Sequence, residues 1–301
     1  MAKKTALVLS GGGAKGAFQC GAEKYAREVK GYHWDIIAGV SVGALNGSML
    51  AMEKYQRLFE IWNTISDDKV YTGGFNVWST IKLLFGAKSF YGNKPLQRMI
   101  AQEISAPIKA DLRIGAVSLI TGEYIEFMGN DPHLAEAVLA STVMPVIWTP
   151  VDISDSYRSM VDGGVRNISP IGDVLGAEPD EIVIINCSPE GFDVLPAPPG
   201  DIVKIGLRTL DILINELFRS DMREFLHINA LVKEAEALGH VLHHPDTGRP
   251  LKYYDYKIIE PLEPLGDTLD FSQGPVQKSL QAGVERARQV LEGVRRADHS
   301  G

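Results

Sequence analysis

The sequence predicts an α/β protein with a mainly parallel central sheet flanked by helices, and three observations carry that prediction. Thr5–Ser10 is a short, β-leaning apolar run that ends in three glycines. The stretch that follows, 14–30, places Phe18, Ala22, Tyr25 and Val29 at helical spacing. The same strand, turn and helix order then recurs, with Trp34–Val40 as strand, Ser41 at the turn and Val42–Lys54 as an Ala/Leu/Met-rich helix. Two successive βα units imply parallel strands, because a crossover helix returns the chain to run in the same direction.

The remaining elements follow in order. Helical spacing over Leu58–Ile65 and Pro95–Ile104 brackets an aromatic-rich loop, so 55–105 reads as an insertion or lid. Within it, Phe75–Tyr91 combines Trp and Phe with Lys82 and Lys88, side chains suited to packing on the core or to a membrane boundary. Leu112–Leu119 and Glu123–Phe127 are strands joined at Thr121-Gly122, His133–Ser141 is a helix, and Tyr157–Val161 is a strand that runs into Asp162. Glu181–Cys187 is continuously apolar, as a strand buried on both faces should be. Pro196–Gly200 is a linker, followed by a long amphipathic helix over Ile202–Leu238. Its Leu207, Leu210, Ile214, Leu217 and Phe218 form one stripe expected to cover the sheet. A polar loop at His240–Pro250, an edge strand at Tyr253–Ile259, a terminal helix at Gly274–Gly293 and a frayed tail from Arg295 complete the chain. The expected organisation is a core over 5–190 and a helical region over 201–293 packed on the same domain.

Of the 301 residues, 45% are apolar and 23% charged, the balance of a soluble globular protein. A net charge of −8 argues against nucleic acid as a partner, since phosphate binding draws on clustered Lys and Arg. The apolar stretch Ala6–Leu9 is too short for a signal-peptide core, and no apolar run approaches the ~18 residues that span a bilayer. A cytoplasmic protein with at most peripheral membrane contact is expected. Cys20 and Cys187, the two cysteines, have no metal-ligand spacing and read as buried thiols.

Three motifs carry chemistry. Gly39-Val-Ser-Val-Gly43 fits G-x-S-x-G, in which a sharp strand-to-helix turn presents a serine hydroxyl; the strand before it and the helix after it supply the required context. Gly11-Gly-Gly-Ala-Lys-Gly16 closes the first strand where a helix begins, so its backbone N–H groups can form an anion-binding nest. A dinucleotide turn lacks its acidic partner, because Asp35 precedes its strand. A phosphate loop lacks the Lys and Ser/Thr that should follow Gly16, where Ala17-Phe18 stand. An oxyanion hole for acyl transfer is the remaining function for the loop. Asp162-Gly-Gly164 puts a carboxylate at a strand end; taken alone, the tripeptide is also an ordinary turn.

Together and in this order, these motifs resemble the patatin-like phospholipase family. Ala140-Ser-Thr-Val-Met-Pro145 with Trp148-Thr-Pro-Val151 is similar to the stretch ahead of the family's catalytic aspartate, and the resemblance covers about residues 5–190. It implies a three-layer α/β/α fold and a Ser–Asp dyad with Ser41 as nucleophile and Asp162 as general base. It also implies an oxyanion hole from the Gly11, Gly12 and Gly13 amides, with Lys15, Gly16, Gly39, Gly43, Gly163 and Gly164 supporting the motifs. Trp148 stands where many members carry Phe, which would reshape an acyl pocket. The implied activity is lipid acyl hydrolysis on a lipid or ester substrate through an acyl-Ser41 intermediate. Acyl transfer to another alcohol needs the same residues, and a catalytically silent lipid-binding module should lack one of them. A Ser–Asp–His order is open to His240, His243 or His244, although all three fall in the polar loop. The sequence has no H-E-x-x-H zinc signature, and neither metal nor cofactor is expected.

Overall fold

The computed structural model describes residues 3–73, 91–105, 107–145, 147–189, 194–195, 197–200 and 202–293. In chain order the elements are β1 (Thr5–Leu9), α1 (Gly16–Glu28), β2 (Ile36–Gly39), α2 (Val42–Ala51), α3 (Tyr55–Thr64), α4 (Asp67–Val70), β3 (Thr72–Gly73) and β4 (Tyr91–Gly92). They continue with α5 (Lys94–Glu103), β5 (Asp111–Ser118), β6 (Tyr124–Met128), α6 (Leu134–Ser141), β7 (Met160–Asp162), α7 (Ile171–Leu175), β8 (Glu181–Ile185), α8 (Ile202–Ala237), β9 (Asp255–Ile259) and α9 (Gln273–Glu292).

The main sheet has the order β6-β5-β2-β1-β8-β9, with β7 also paired to β5. β5, β2, β1, β8 and β9 are mutually parallel, while β6 and β7 are antiparallel to β5. The inner strands β1 and β8 are buried along their whole length, as an apolar run covered by helices on both faces must be. One face carries Leu7, Leu9, Ile37, Val183 and Ile185 against Phe18, Ala22, Leu50 and Leu280 of the helices. The other carries Ala6, Val8, Ile36, Ala38, Ile182 and Ile184 against Val174, Phe218 and Met222. Helices on both faces of a mostly parallel sheet are the three layers expected.

One register matters for function. β2 pairs with the first half of β5, ending at Gly39 opposite Ile114, whereas β7 runs in from the other direction and pairs Asp162 with Ala116. Both lie on the same edge of β5, so their C-terminal ends meet head to head. Positions two residues apart on a strand are only ~7 Å apart. Ser41 and Asp162, 121 positions apart in the chain, are thereby delivered to one place.

Several sequence expectations are refined. The strand before Asp162 starts at Met160 rather than Tyr157, because Ile153 N–H and the Tyr157 carbonyl close a turn and Ser159 turns the chain at φ 52°. α8 spans 36 residues, ~54 Å at helical rise, far longer than the sheet is wide. Only its part from Phe218 onward lies over the sheet; Leu217, expected on the covering stripe, is exposed, as is its neighbour Leu213. α9 packs directly on α1. A Cβ at Gly21 would stand 2.0 Å from the Leu280 carbonyl oxygen and one at Gly283 2.0 Å from that of Phe18, so the two backbones are in contact. Residues 75–90 of the expected lid lie outside the described residues. Among the described residues no helix is long and apolar enough to cross a membrane.

Candidate active site

Ser41 sits between β2 and α2 at φ 59° and ψ −128°, a conformation that costs an L-residue roughly 1–3 kcal/mol. The flanking glycines are dictated by space: a Cβ at Gly39 would lie 2.2 Å from the Gly43 carbonyl oxygen, and one at Gly43 2.2 Å from that of Leu9. Both are contacts no real side chain makes. The Ser41 N–H donates to the Ser141 hydroxyl at 2.9 Å, and its carbonyl accepts from Ala44 N–H at 3.0 Å, which starts α2. The positive end of that helix therefore lies at the serine.

Asp162 is buried, at 5% exposure. Its carboxylate accepts a hydrogen bond from Gly164 N–H at 2.8 Å and has the Ser41 side chain beside it. Burial drives its pKa up from 3.8 to about 6, and the neighbouring Ser41 hydroxyl and Gly164 N–H only partly offset the rise. Gly163 gives the turn room, since a Cβ there would meet the Gly115 carbonyl oxygen at 2.5 Å. Asp173 is also pushed up to about 6, chiefly by burial. It faces Tyr124 and Asn167 (2.6 and 3.2 Å) instead of the cavity, and so anchors the loop that follows Asp162.

The glycine loop divides its amides. Gly11 N–H donates to the Ile168 carbonyl at 3.0 Å and Ala14 N–H to that of Thr268 at 2.8 Å, so these two are engaged by the fold. Gly13 lies at φ +56°, and a Cβ on it would stand 2.3 Å from the Thr268 carbonyl oxygen. Lys15 N–H closes the turn onto the Gly12 carbonyl at 3.2 Å, and Gly16 opens α1 with its carbonyl accepting from the Asn46 side chain at 3.0 Å. Behind the loop, a Cβ on Gly12 would meet that of Cys187 at 2.4 Å. The Cys187 thiol is buried and its pKa is pushed up to about 12 by desolvation, so it remains protonated packing.

Ser41, Asp162 and Gly13 open into one cavity with about 860 Å³ of empty space, counting its mouth. Val42, Leu45, Asn46 and Met49 line it along one face of α2; Leu58, Ile61 and Trp62 of α3 and Leu96, Met99 and Ile100 of α5 form another wall. Trp148 lines it too, with its indole N–H buried and without a partner among the described residues. The far end reaches Glu103, which is paired with Arg57 at 2.6 Å. None of His240, His243 and His244 lines the cavity.

Sequence reasoning missed three contributors. Asn46 is buried and joins Gln19 and Trp62 by hydrogen bonds of 3.0 and 2.9 Å; its signal is the lone amide in the mostly apolar run Val42–Ala51. Ser141, which accepts from Ser41 N–H, lies inside the Ala140–Pro145 motif with no signal of its own. Thr268, with Leu269 and Phe271, closes the cavity from the C-terminal region. That segment is held by Tyr71 OH to the Leu269 carbonyl (3.0 Å) and Phe271 N–H to Asp67 (2.9 Å).

The fold is thus an α/β protein whose mainly parallel sheet brings a strained serine and a buried carboxylate to one apolar cavity. The patatin-like phospholipase family profile matches residues 7–175, more than half of the chain, and the protein belongs to that family. Membership places it among hydrolases of lipid esters. The crystal structure of VipD from Legionella pneumophila superposes with a TM-score of 0.53 at 13% identity, over 97% of this chain and 67% of that one, a likeness of fold.

Proposed function

We propose that the protein cleaves carboxylic esters of lipids through an acyl-Ser41 intermediate with Asp162 as general base. The observation that carries this is the buried carboxylate beside the Ser41 side chain at the mouth of an apolar cavity. Ser41 Oγ attacks the ester carbonyl as its proton passes to Asp162. The resulting oxyanion is received by the amides of Gly12 and Gly13, while Gly11 braces the loop through Ile168. Asp162 then returns the proton to the leaving alkoxide, giving the free alcohol and acyl-Ser41. A water attacks the acyl carbon, loses its proton to Asp162, and the carboxylic acid departs as the proton goes back to Ser41. A pKa near 6 suits this base, since it is ionised at neutral pH yet basic enough to accept a proton in the transition state. The substrate is a lipid or other acyl ester, met in the cytoplasm or at a membrane surface.

The cavity runs along α2 from Ser41 to Met49, eight residues or ~12 Å at helical rise. An extended chain advances ~1.2 Å per bond, a third of the ~3.5 Å an extended residue covers, which gives space for about ten carbons. A p-nitrophenyl ester series should therefore give kcat/KM rising to an optimum near C8–C10 and falling beyond it, with no turnover by Ser41→Ala at any length. Undiminished hydrolysis by Ser41→Ala would remove the nucleophile assignment; a flat chain-length profile would remove the cavity as the acyl site.

A further inference from the structure

We propose that Ser141-Thr142-Val143, at the C-terminal end of α6, is a clamp that sets the nucleophile and the base relative to each other, with Ser141 as its positioning residue. The proposal rests on the Ser41–Asp162 assignment above. Ser41 N–H donates to the Ser141 hydroxyl oxygen at 2.9 Å, and two residues further on the Val143 carbonyl accepts from Asp162 N–H at 2.9 Å. One tripeptide thus holds the backbones of both residues. Thr142 and, just beyond the tripeptide, Met144 line the cavity, whereas Ser141 and Val143 are fully covered. The clamp is itself stiffened: Thr142 Oγ1 donates to the Leu139 carbonyl at 2.7 Å and Val143 N–H to that of Ala140 at 3.1 Å.

The backbone at Ser41 explains why a side chain is needed there. β2 ends at Gly39, so no sheet ladder reaches Ser41 N–H, and that amide precedes the first turn of α2. Ser41 is buried, at 8% exposure, and a buried N–H must find an acceptor. The Ser141 hydroxyl is the acceptor, and it fixes the residue at a positive φ that it would otherwise leave. Because the same segment takes Asp162 N–H, a shift of the nucleophile relative to the base requires breaking one of the two bonds.

The test compares wild type, Ser41→Ala and Ser141→Ala in ester kinetics, fluorophosphonate labelling and amide hydrogen exchange at Ser41, with thermal melting as the folding control. Ser141→Ala should lower kcat and the labelling rate about 10- to 100-fold, the range a small misplacement of a reacting group produces. KM should stay within about threefold and the pH midpoint near 6, because neither the acyl cavity nor the burial of Asp162 changes. Exchange of the Ser41 amide should accelerate by more than the small drop in melting temperature, from one buried donor left unpaired, accounts for. Should Ser141→Ala fail to fold, Ser141→Cys, of similar shape with a poor acceptor, is expected to show the same losses. Unchanged protection of the Ser41 amide, or kcat within threefold of wild type, would overturn the clamp. Absence of a Ser41 adduct in wild type would instead defeat the dyad assignment, and the exchange measurement would still decide whether Ser141 holds that amide.

Discussion

Asp162→Asn is expected to abolish turnover while making the protein harder to unfold. Removing a positioned general base costs on the order of 10²–10⁴ in kcat, and asparagine cannot accept the serine proton. It can still accept from Gly164 N–H, so the turn geometry should survive. The stability gain follows from linkage. The folded carboxyl titrates at about 6 against 3.8 when unperturbed, so the folded state binds this proton more tightly than the unfolded chain. The stabilisation that the proton provides is fully present below 3.8 and is lost as the pH rises through 6. Holding Asp162 ionised at pH 8 then costs on the order of 3 kcal/mol. Asn carries no such cost. Melting curves at pH 5 and 8 should show Asp162→Asn several degrees above wild type at pH 8 and closer to it at pH 5. Some pH dependence of the same sign should persist in the variant from Asp173, which is raised for the same reason. Retention of a tenth of wild-type kcat, or a lower melting point at pH 8, would count against Asp162 as a buried base.

Gly13→Ala is the second large effect, with kcat expected to fall about 10²–10³-fold at little change in KM, the loss typical of one oxyanion donor. The methyl group would stand 2.3 Å from the Thr268 carbonyl oxygen at a backbone φ of +56°, so the loop must move and carry its amides away from the reacting oxygen. Thr268 cannot yield easily, since its carbonyl also accepts from Ala14 N–H. Gly122→Ala is the control. It too has a positive φ, +74°, but nothing within 4 Å, so it should cost ~1 kcal/mol of stability and no activity. Steady-state kinetics of both variants on the preferred ester separate a displaced hole from general backbone strain. Equal losses in the two would show that the hole is not at Gly13.

What could be read from the sequence was what is local. The run Thr5–Ser10, the turn at Ser41 and the Asp162-Gly-Gly164 corner each announce themselves within a few residues, because strand, elbow and turn impose short-range demands on side-chain size. The meeting of β2 and β7 along one edge of β5 left no such trace, since register between strands over a hundred residues apart has no periodicity. The division of labour among the glycine amides was equally hidden: Gly11 is engaged by the Ile168 carbonyl, which only the fold brings near. The α8 stripe misled because helical spacing reports an apolar face, whereas the extent of the sheet decides how much of that face is covered. Ser141 stood in a recognisable motif, yet its hydrogen bond spans 100 residues and leaves no local pattern.

The measurement that tests the central claim most directly is the rate of fluorophosphonate labelling as a function of pH, with the adduct mapped by peptide mass spectrometry. A nucleophile activated by a buried carboxylate at about 6 should give one adduct, on Ser41, at a rate half-maximal near pH 6 and constant above about pH 7. An adduct elsewhere, or a Ser41 rate unchanged between pH 5 and 8, would contradict the pairing of Ser41 with Asp162.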